Sequence, residues 1–172
     1  RSTHDIPNSH SKIVTAVMKF PKGVSNRVFH SWLTWTKIED YNGHEAYILA
    51  FAPREECDGT LLPPLPHFPN ESNTTVGKTI GIYVFEKLAR QITRMSLVQQ
   101  ADMKGSIPKI LLTSLVGRSL NIVQRAVDKF KRSRSEVDED KRKAFILKIP
   151  TAPPLSKDQE DLIARCLKFE DA

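Results

Sequence analysis

The chain has 172 residues, with 26 basic against 20 acidic side chains, a formal charge of +6, and 40% hydrophobic content. That suffices for a domain with a packed core, and no apolar run reaches the roughly 18 residues that a membrane span requires. Cys57 and Cys166 stand far apart without a CxxC pattern, which argues against a disulfide framework or a structural zinc and points to a reducing, cytoplasmic setting.

Residues 1–11 are polar and read as a linker or frayed end. Lys12–Phe20, carrying Ile13, Val14, Val17 and Met18, reads as a strand that Pro21-Lys22-Gly23 breaks. Arg27–Ile38 alternates at period two, and Asn42-Gly43 between it and Glu45–Ala52 is a hairpin signal, because a type I′ turn needs positive φ at both central positions. Pro53–Val76 holds five prolines, with Leu61, Leu62, Leu65 and Phe68 between them. Each proline removes an amide donor and constrains its predecessor, so an irregular loop is expected, either a lid or a cap on the core. Gly77-Lys78-Thr79 resembles the end of a phosphate-binding loop, but Ser72 stands where that loop needs its first glycine, and no nucleotide site follows.

Thr79–Leu88 and Gln91–Ala101 return to period-two chemistry. In the second of these, Met95, Leu97 and Gln99 share one face with Thr93. Asp102-Met103-Lys104-Gly105 then supplies a turn, with Gly105 free to take positive φ. Ser106 is a good N-cap, and Pro108 in the first turn predicts a helix start at that point. From Ile107 to Arg132, Leu111, Leu112, Leu115, Val116, Leu120, Val123, Val127 and Phe130 recur at helical spacing, with Ser114 beside the Leu111–Leu115 face. A stripe this wide belongs on a sheet, either as solid core or as the wall of a cavity.

The cluster Lys129, Lys131, Arg132, Arg134 and Lys141-Arg142-Lys143 complements a helix C-terminus or meets an anionic membrane surface. Aromatic residues are not interleaved with it, so no nucleic-acid partner is expected. Residues 133–155 form a charged and then proline-rich linker. Ser156-Lys157-Asp158-Gln159 is a capping box that opens a helix over 156–172, with Leu162, Ile163, Cys166 and Leu167 on one side. That helix docks on the sheet or begins a following module. The five histidines are scattered, with none at metal-ligand spacing, and no nucleophile elbow is present, so neither an enzyme, a metal nor a cofactor is expected.

Ser25-Asn26-Arg27-Val28-Phe29, the hairpin, the proline-rich loop, and above all Asp102-Met103-Lys104-Gly105-Ser106-Ile107-Pro108-Lys109 resemble the second half of a START domain, the StAR-related lipid-transfer family. The family's usual Arg-Asp-Phe is Arg27-Val28-Phe29 here. The resemblance covers about residues 12–132. It implies an α+β helix-grip fold, a curved antiparallel sheet packed against a long C-terminal helix, with a lipid or sterol held between them. It also implies Arg27, Met95, Leu97, Gln99, Leu111, Ser114 and Leu115 as the lining, with Leu61, Leu62, Leu65 and Phe68 on the lid. The expected function is intracellular lipid or sterol binding, transfer or sensing, with transient contact at an anionic membrane surface. The alternative is a START-like interaction or regulatory module without a lipid cavity, and oligomeric state is not legible.

Overall fold

In the computed structural model, the residues described are 2–5, 10–57, 74–90, 92–132, 143–144, 147 and 154–169. Six strands, β1 (Ser2–Asp5), β2 (Ser11–Met18), β3 (Asn26–Tyr41), β4 (His44–Pro53), β5 (Thr74–Ala89) and β6 (Ile92–Asp102), lie in sequence order in one sheet. Every consecutive pair is antiparallel. The chain groups into two compact units, Arg1–Gly105 with Pro154–Ala172, and Ser106–Pro153. This division differs from a single 12–132 domain. The first unit holds the sheet and helix α2 (Lys157–Leu167), and the second holds helix α1 (Lys109–Arg132).

Local chemistry accounts for most boundaries. Asn42 and Gly43 take φ of 53° and 83°, as the hairpin requires, and Asp40 accepts from the Gly43 amide to close the turn. β1 corrects the expectation of a linker over 1–11: Ser2–Asp5 pairs with Lys12–Thr15, because an edge strand needs backbone partners rather than apolar side chains. β5 begins five residues before the period-two reading predicts. β4 ends at Pro53, and beyond it Asn26–Phe29 of β3 pairs directly, in parallel, with Thr74–Gly77. The α1 start is also later than expected. Pro108, not Ser106, accepts the first helical bond, from Leu112 at 3.2 Å, since a proline biases its predecessor, Ile107, towards extended structure.

α2 opens with the capping box anticipated, Gln159 N–H donating to Ser156 Oγ at 3.4 Å and Ser156 N–H to Gln159 Oε1 at 2.7 Å. It packs on β4 and β5 and buries Leu162, Ile163 and Cys166. An 11-residue helix is marginal alone, so this contact is what holds it. Its floor is Ile13, Trp32, Ala46, Ile48, Ala50, Ala52, Ile82 and Val84. The alanines let the helix approach the strands, and burying the three anchors contributes about 1.5–3 kcal/mol for each large aliphatic. Gln159 Nε2 reaches Ser11 Oγ at 2.5 Å, and Arg165 pairs with Glu56 in the 3-10 turn Arg54–Glu56.

Candidate functional site

Because side chains alternate along each strand and paired residues share a face, the registers divide the sheet completely. The α2 face carries Ile13, Trp32, Ile48, Ile82 and Val84. The far face carries Leu33 opposite Phe51, Trp35 opposite Leu49 opposite Tyr83 opposite Leu97, and Tyr47 opposite Phe85 opposite Met95. Phe51 is buried, and the others are half-buried. Tyr83 lies 5.7 Å from Phe51 and 6.3 Å from Phe85 between ring centroids, so three rings form a continuous aromatic row.

Gly81 makes room for this row, and Gly77 makes room for Phe29. A Cβ on Gly77 would stand 2.6 Å from Phe29 Cε1. One on Gly81 would stand 2.6 Å from Phe51 Cζ, and closer still to the Val98 carbonyl oxygen. The Gly77 Cβ would also meet a backbone carbonyl, that of Asp102, but only at 3.1 Å, whereas the Gly81 Cβ would press far harder on the Val98 carbonyl, which cannot rotate away. Gly81→Ala is therefore expected to cost about 1–3 kcal/mol, the usual range for overpacking, and Gly77→Ala less. Urea titration of both variants checks the order. Equal midpoints for Gly81→Ala and the parent chain would contradict it.

Charged and polar groups border the apolar band. At the hairpin end Lys37 bridges Glu39 at 2.8 Å and Glu45 at 3.0 Å, with Lys87 3.7 Å from Glu45. The hydrogen bond from Lys37 is the main cause that holds the Glu45 carboxyl below its ordinary value, and the reciprocal bonds raise Lys37. At the other end of the same face, Arg27 lies opposite Met18 and is only 2% exposed. Its Nε donates to the Met103 carbonyl at 2.8 Å, its Nη2 to Lys104 at 3.0 Å and its Nη1 to Ser25. Phe20 lies 5.4 Å from the guanidinium. Lys104 and Gly105 both take positive φ, 50° and 66°, and Asp102 Oδ1 accepts from the Lys104 amide at 3.0 Å. Arg27 thus fixes the corner between β6 and the helical unit.

Met95, Leu97 and Gln99 come together on the far face, as the alternation predicts. Gln99 is exposed, and its Nε2 donates to Thr79 Oγ1 at 2.9 Å. Leu111, Ser114 and Leu115 belong to the separate helical unit. Leu115 is buried, Leu111 half-buried and Ser114 exposed. Leu61, Leu62, Leu65 and Phe68 lie outside the described residues. Three buried polar contacts escape the sequence reading. Glu86 accepts from Arg94 through both carboxylate oxygens, His30 Nδ1 lies 3.0 Å from Thr15 Oγ1, and Ser11 meets Gln159. Desolvation first, then the Arg54 charge, holds His30 below its ordinary value of 6.5, with Glu55 opposing. The one signal was Glu86 itself, a charge in the alternating position shared by Ile82 and Val84.

Among solved structures, the chain is similar to the crystal structure of human STARD10, with a TM-score of 0.54 and 17% identity over 92% of this chain. The fold is START-like. The chain spans 62% of the length of that START-like structure. No family model matches the sequence, and no curated protein does. No described helix is long and apolar enough to cross a membrane.

Proposed function

We infer that the chain is a lipid-binding module that takes the apolar body of a lipid or sterol against the far face of its START-like sheet. The observation that carries this reading is the asymmetry of the sheet. α2 seals one face, while the other holds a continuous band from Tyr47 and Phe85 to Leu33 that no residue of α2 covers. Burying a ligand on such a band gains about 25 cal/mol per Å² of apolar area, and a few polar groups at its ends suffice to orient it. Met95 and Leu97 contribute apolar wall, and Gln99 supplies a hydrogen-bonding group at the rim. Arg27 acts as a positioning residue through the corner that leads to α1. Transfer or sensing of the lipid, and transient contact with an anionic membrane surface, belong to the same reading.

Native mass spectrometry of the chain purified from cells, followed by incubation with mixed phospholipid and sterol vesicles, tests it. A bound lipid is expected, and Met95→Asp is expected to lower its occupancy about tenfold, since a carboxylate placed in an apolar site is poorly tolerated. A chain that remains empty after both treatments overturns the reading in favour of an interaction or regulatory module without a lipid cavity.

A further inference from the structure

The charges at both ends of the far-face band are committed to the chain itself. At the hairpin end Lys37 bridges Glu39 at 2.8 Å and Glu45 at 3.0 Å, and Lys87 adds a second cation 3.7 Å from Glu45, so the cluster is neutral as a whole. At the other end the Arg27 fork spends its donors on the carbonyls of Met103, Lys104 and Ser25. An ionised head group entering the band would have to break one of these sets of bonds while losing its own water, and a charge in apolar surroundings is the costliest group to bury. The Tyr47 side chain is different. It is half-buried on the same face, and its hydroxyl has no hydrogen-bond partner among the described residues.

We propose that the band takes an uncharged lipid whose polar end is a hydroxyl, and that Tyr47 determines this specificity by exchanging a hydrogen bond with that hydroxyl at the hairpin end. The proposal rests on the lipid-binding function above and adds the class of ligand and its direction. Tyr47 stands opposite Lys37 on one side and Phe85 on the other, where the charged cluster gives way to the aromatic row. Tyr83 follows Phe85 along that row with its ring inclined by only 16°, and Leu49 and Leu97 flank Tyr83. Near-parallel rings offer a flat apolar surface to the body of the ligand. A hydroxyl suits the Tyr47 position because it donates and accepts at once and brings no charge to desolvate. A site that bonds a hydroxyl also discriminates strongly against the analogue that lacks it. Ser31 is the poorer anchor, although its hydroxyl too has no partner among the described residues. It is short, 8% exposed, and set between Phe29, Leu33 and Pro53, away from the charged cluster. The hydroxyl of a sterol and that of a diacylglycerol present the same chemistry to Tyr47.

Native mass spectrometry of the full chain, equilibrated with phosphatidylcholine vesicles that carry cholesterol, cholestane or dioleoylglycerol, tests both class and direction. Per mole of lipid, the hydroxyl-bearing probes are expected to exceed phosphatidylcholine in occupancy by about tenfold or more. Tyr47→Phe keeps the ring and should raise the dissociation constant for the hydroxyl-bearing probe by about three- to tenfold. Cholestane, which has no hydroxyl, should bind the parent chain and Tyr47→Phe alike. Ser31→Ala should alter neither, and Lys87→Gln should leave phosphatidylcholine occupancy as low as in the parent. Uptake of cholesterol alone, or of dioleoylglycerol alone, supports the proposal and identifies the source of the hydroxyl. Phosphatidylcholine occupancy equal to that of both hydroxyl-bearing probes, an equal effect of Tyr47→Phe on cholesterol and cholestane, or a selective loss with Ser31→Ala overturns it while lipid binding itself stands. A chain that takes up none of the lipids overturns both.

Discussion

Arg27→Met is expected to lower the unfolding free energy by about 3–5 kcal/mol. Methionine replaces most of the volume, so the loss comes from hydrogen bonds. With Arg27 only 2% exposed, its fork reaches the carbonyls of Met103 and Lys104 across 76 and 77 residues of sequence, and that of Ser25 nearby. Without it, two carbonyl groups at a corner with two consecutive positive φ values, and the Ser25 carbonyl with them, lose their donor together. Each buried acceptor left unpaired costs roughly 1–3 kcal/mol, reduced where the corner opens to water. Lysine at the same position should recover less than half, because a single ammonium cannot reproduce a planar fork with donors in fixed directions. Urea denaturation reads the effect as a lowered midpoint with an unchanged slope, and amide hydrogen exchange at Lys104 should accelerate. A loss below about 1 kcal/mol would mean that the carbonyls find water freely and that Arg27 does not hold the corner.

That role shows where sequence reasoning reaches and where it stops. The Asn42-Gly43 turn, the conformation of Gly105 and the Ser156–Gln159 box were legible, because each is fixed by residues within a few positions of one another. The two faces of β6 were legible for the same reason, since alternation alone puts Met95, Leu97 and Gln99 together. Arg27 was singled out only through a family resemblance. Its partners lie far along the chain, and nothing local to Ser25–Phe29 says that its donors meet backbone. The β1 strand was invisible because pairing at an edge uses the main chain, and Ser2-Thr3-His4-Asp5 has no apolar pattern to betray it. Ser11 and Gln159 are separated by 148 positions and meet only once α2 lies on the sheet. The amphipathic pattern of α2 showed that it needs an apolar partner, not that the partner is the α2 face of β4 and β5.

Arg94→Met is expected to cost about 2–3 kcal/mol at neutral pH, and almost nothing in strong acid. Glu86 lies on the α2 face opposite Ala46 and Arg94, with its side chain 2% exposed, while the Arg94 side chain is 54% exposed. The exposure of the arginine places the loss at the low end for a buried pair. The Arg94 hydrogen bonds hold the Glu86 carboxyl below its ordinary 4.5, outweighing the opposing effect of desolvation, with the Arg94 and His44 charges acting in the same direction as the bonds. A folded-state pKa below the unfolded one means that the stabilisation is complete above the ordinary carboxyl range, and that it disappears as pH falls through the folded value. In Arg94→Met the carboxylate keeps its burial and loses its main partner. Desolvation then prevails, Glu86 rises above 4.5, and the sign of its contribution reverses, so the variant loses stability as pH climbs through that range. The two stability curves should therefore diverge with increasing pH and converge in acid, which urea titrations from acid to neutral pH measure directly. Combining Glu86→Leu with Arg94→Met should restore most of the loss, since a well-packed apolar pair can equal a buried ion pair. Parallel curves for the parent and Arg94→Met would show instead that Glu86 gains nothing from the guanidinium.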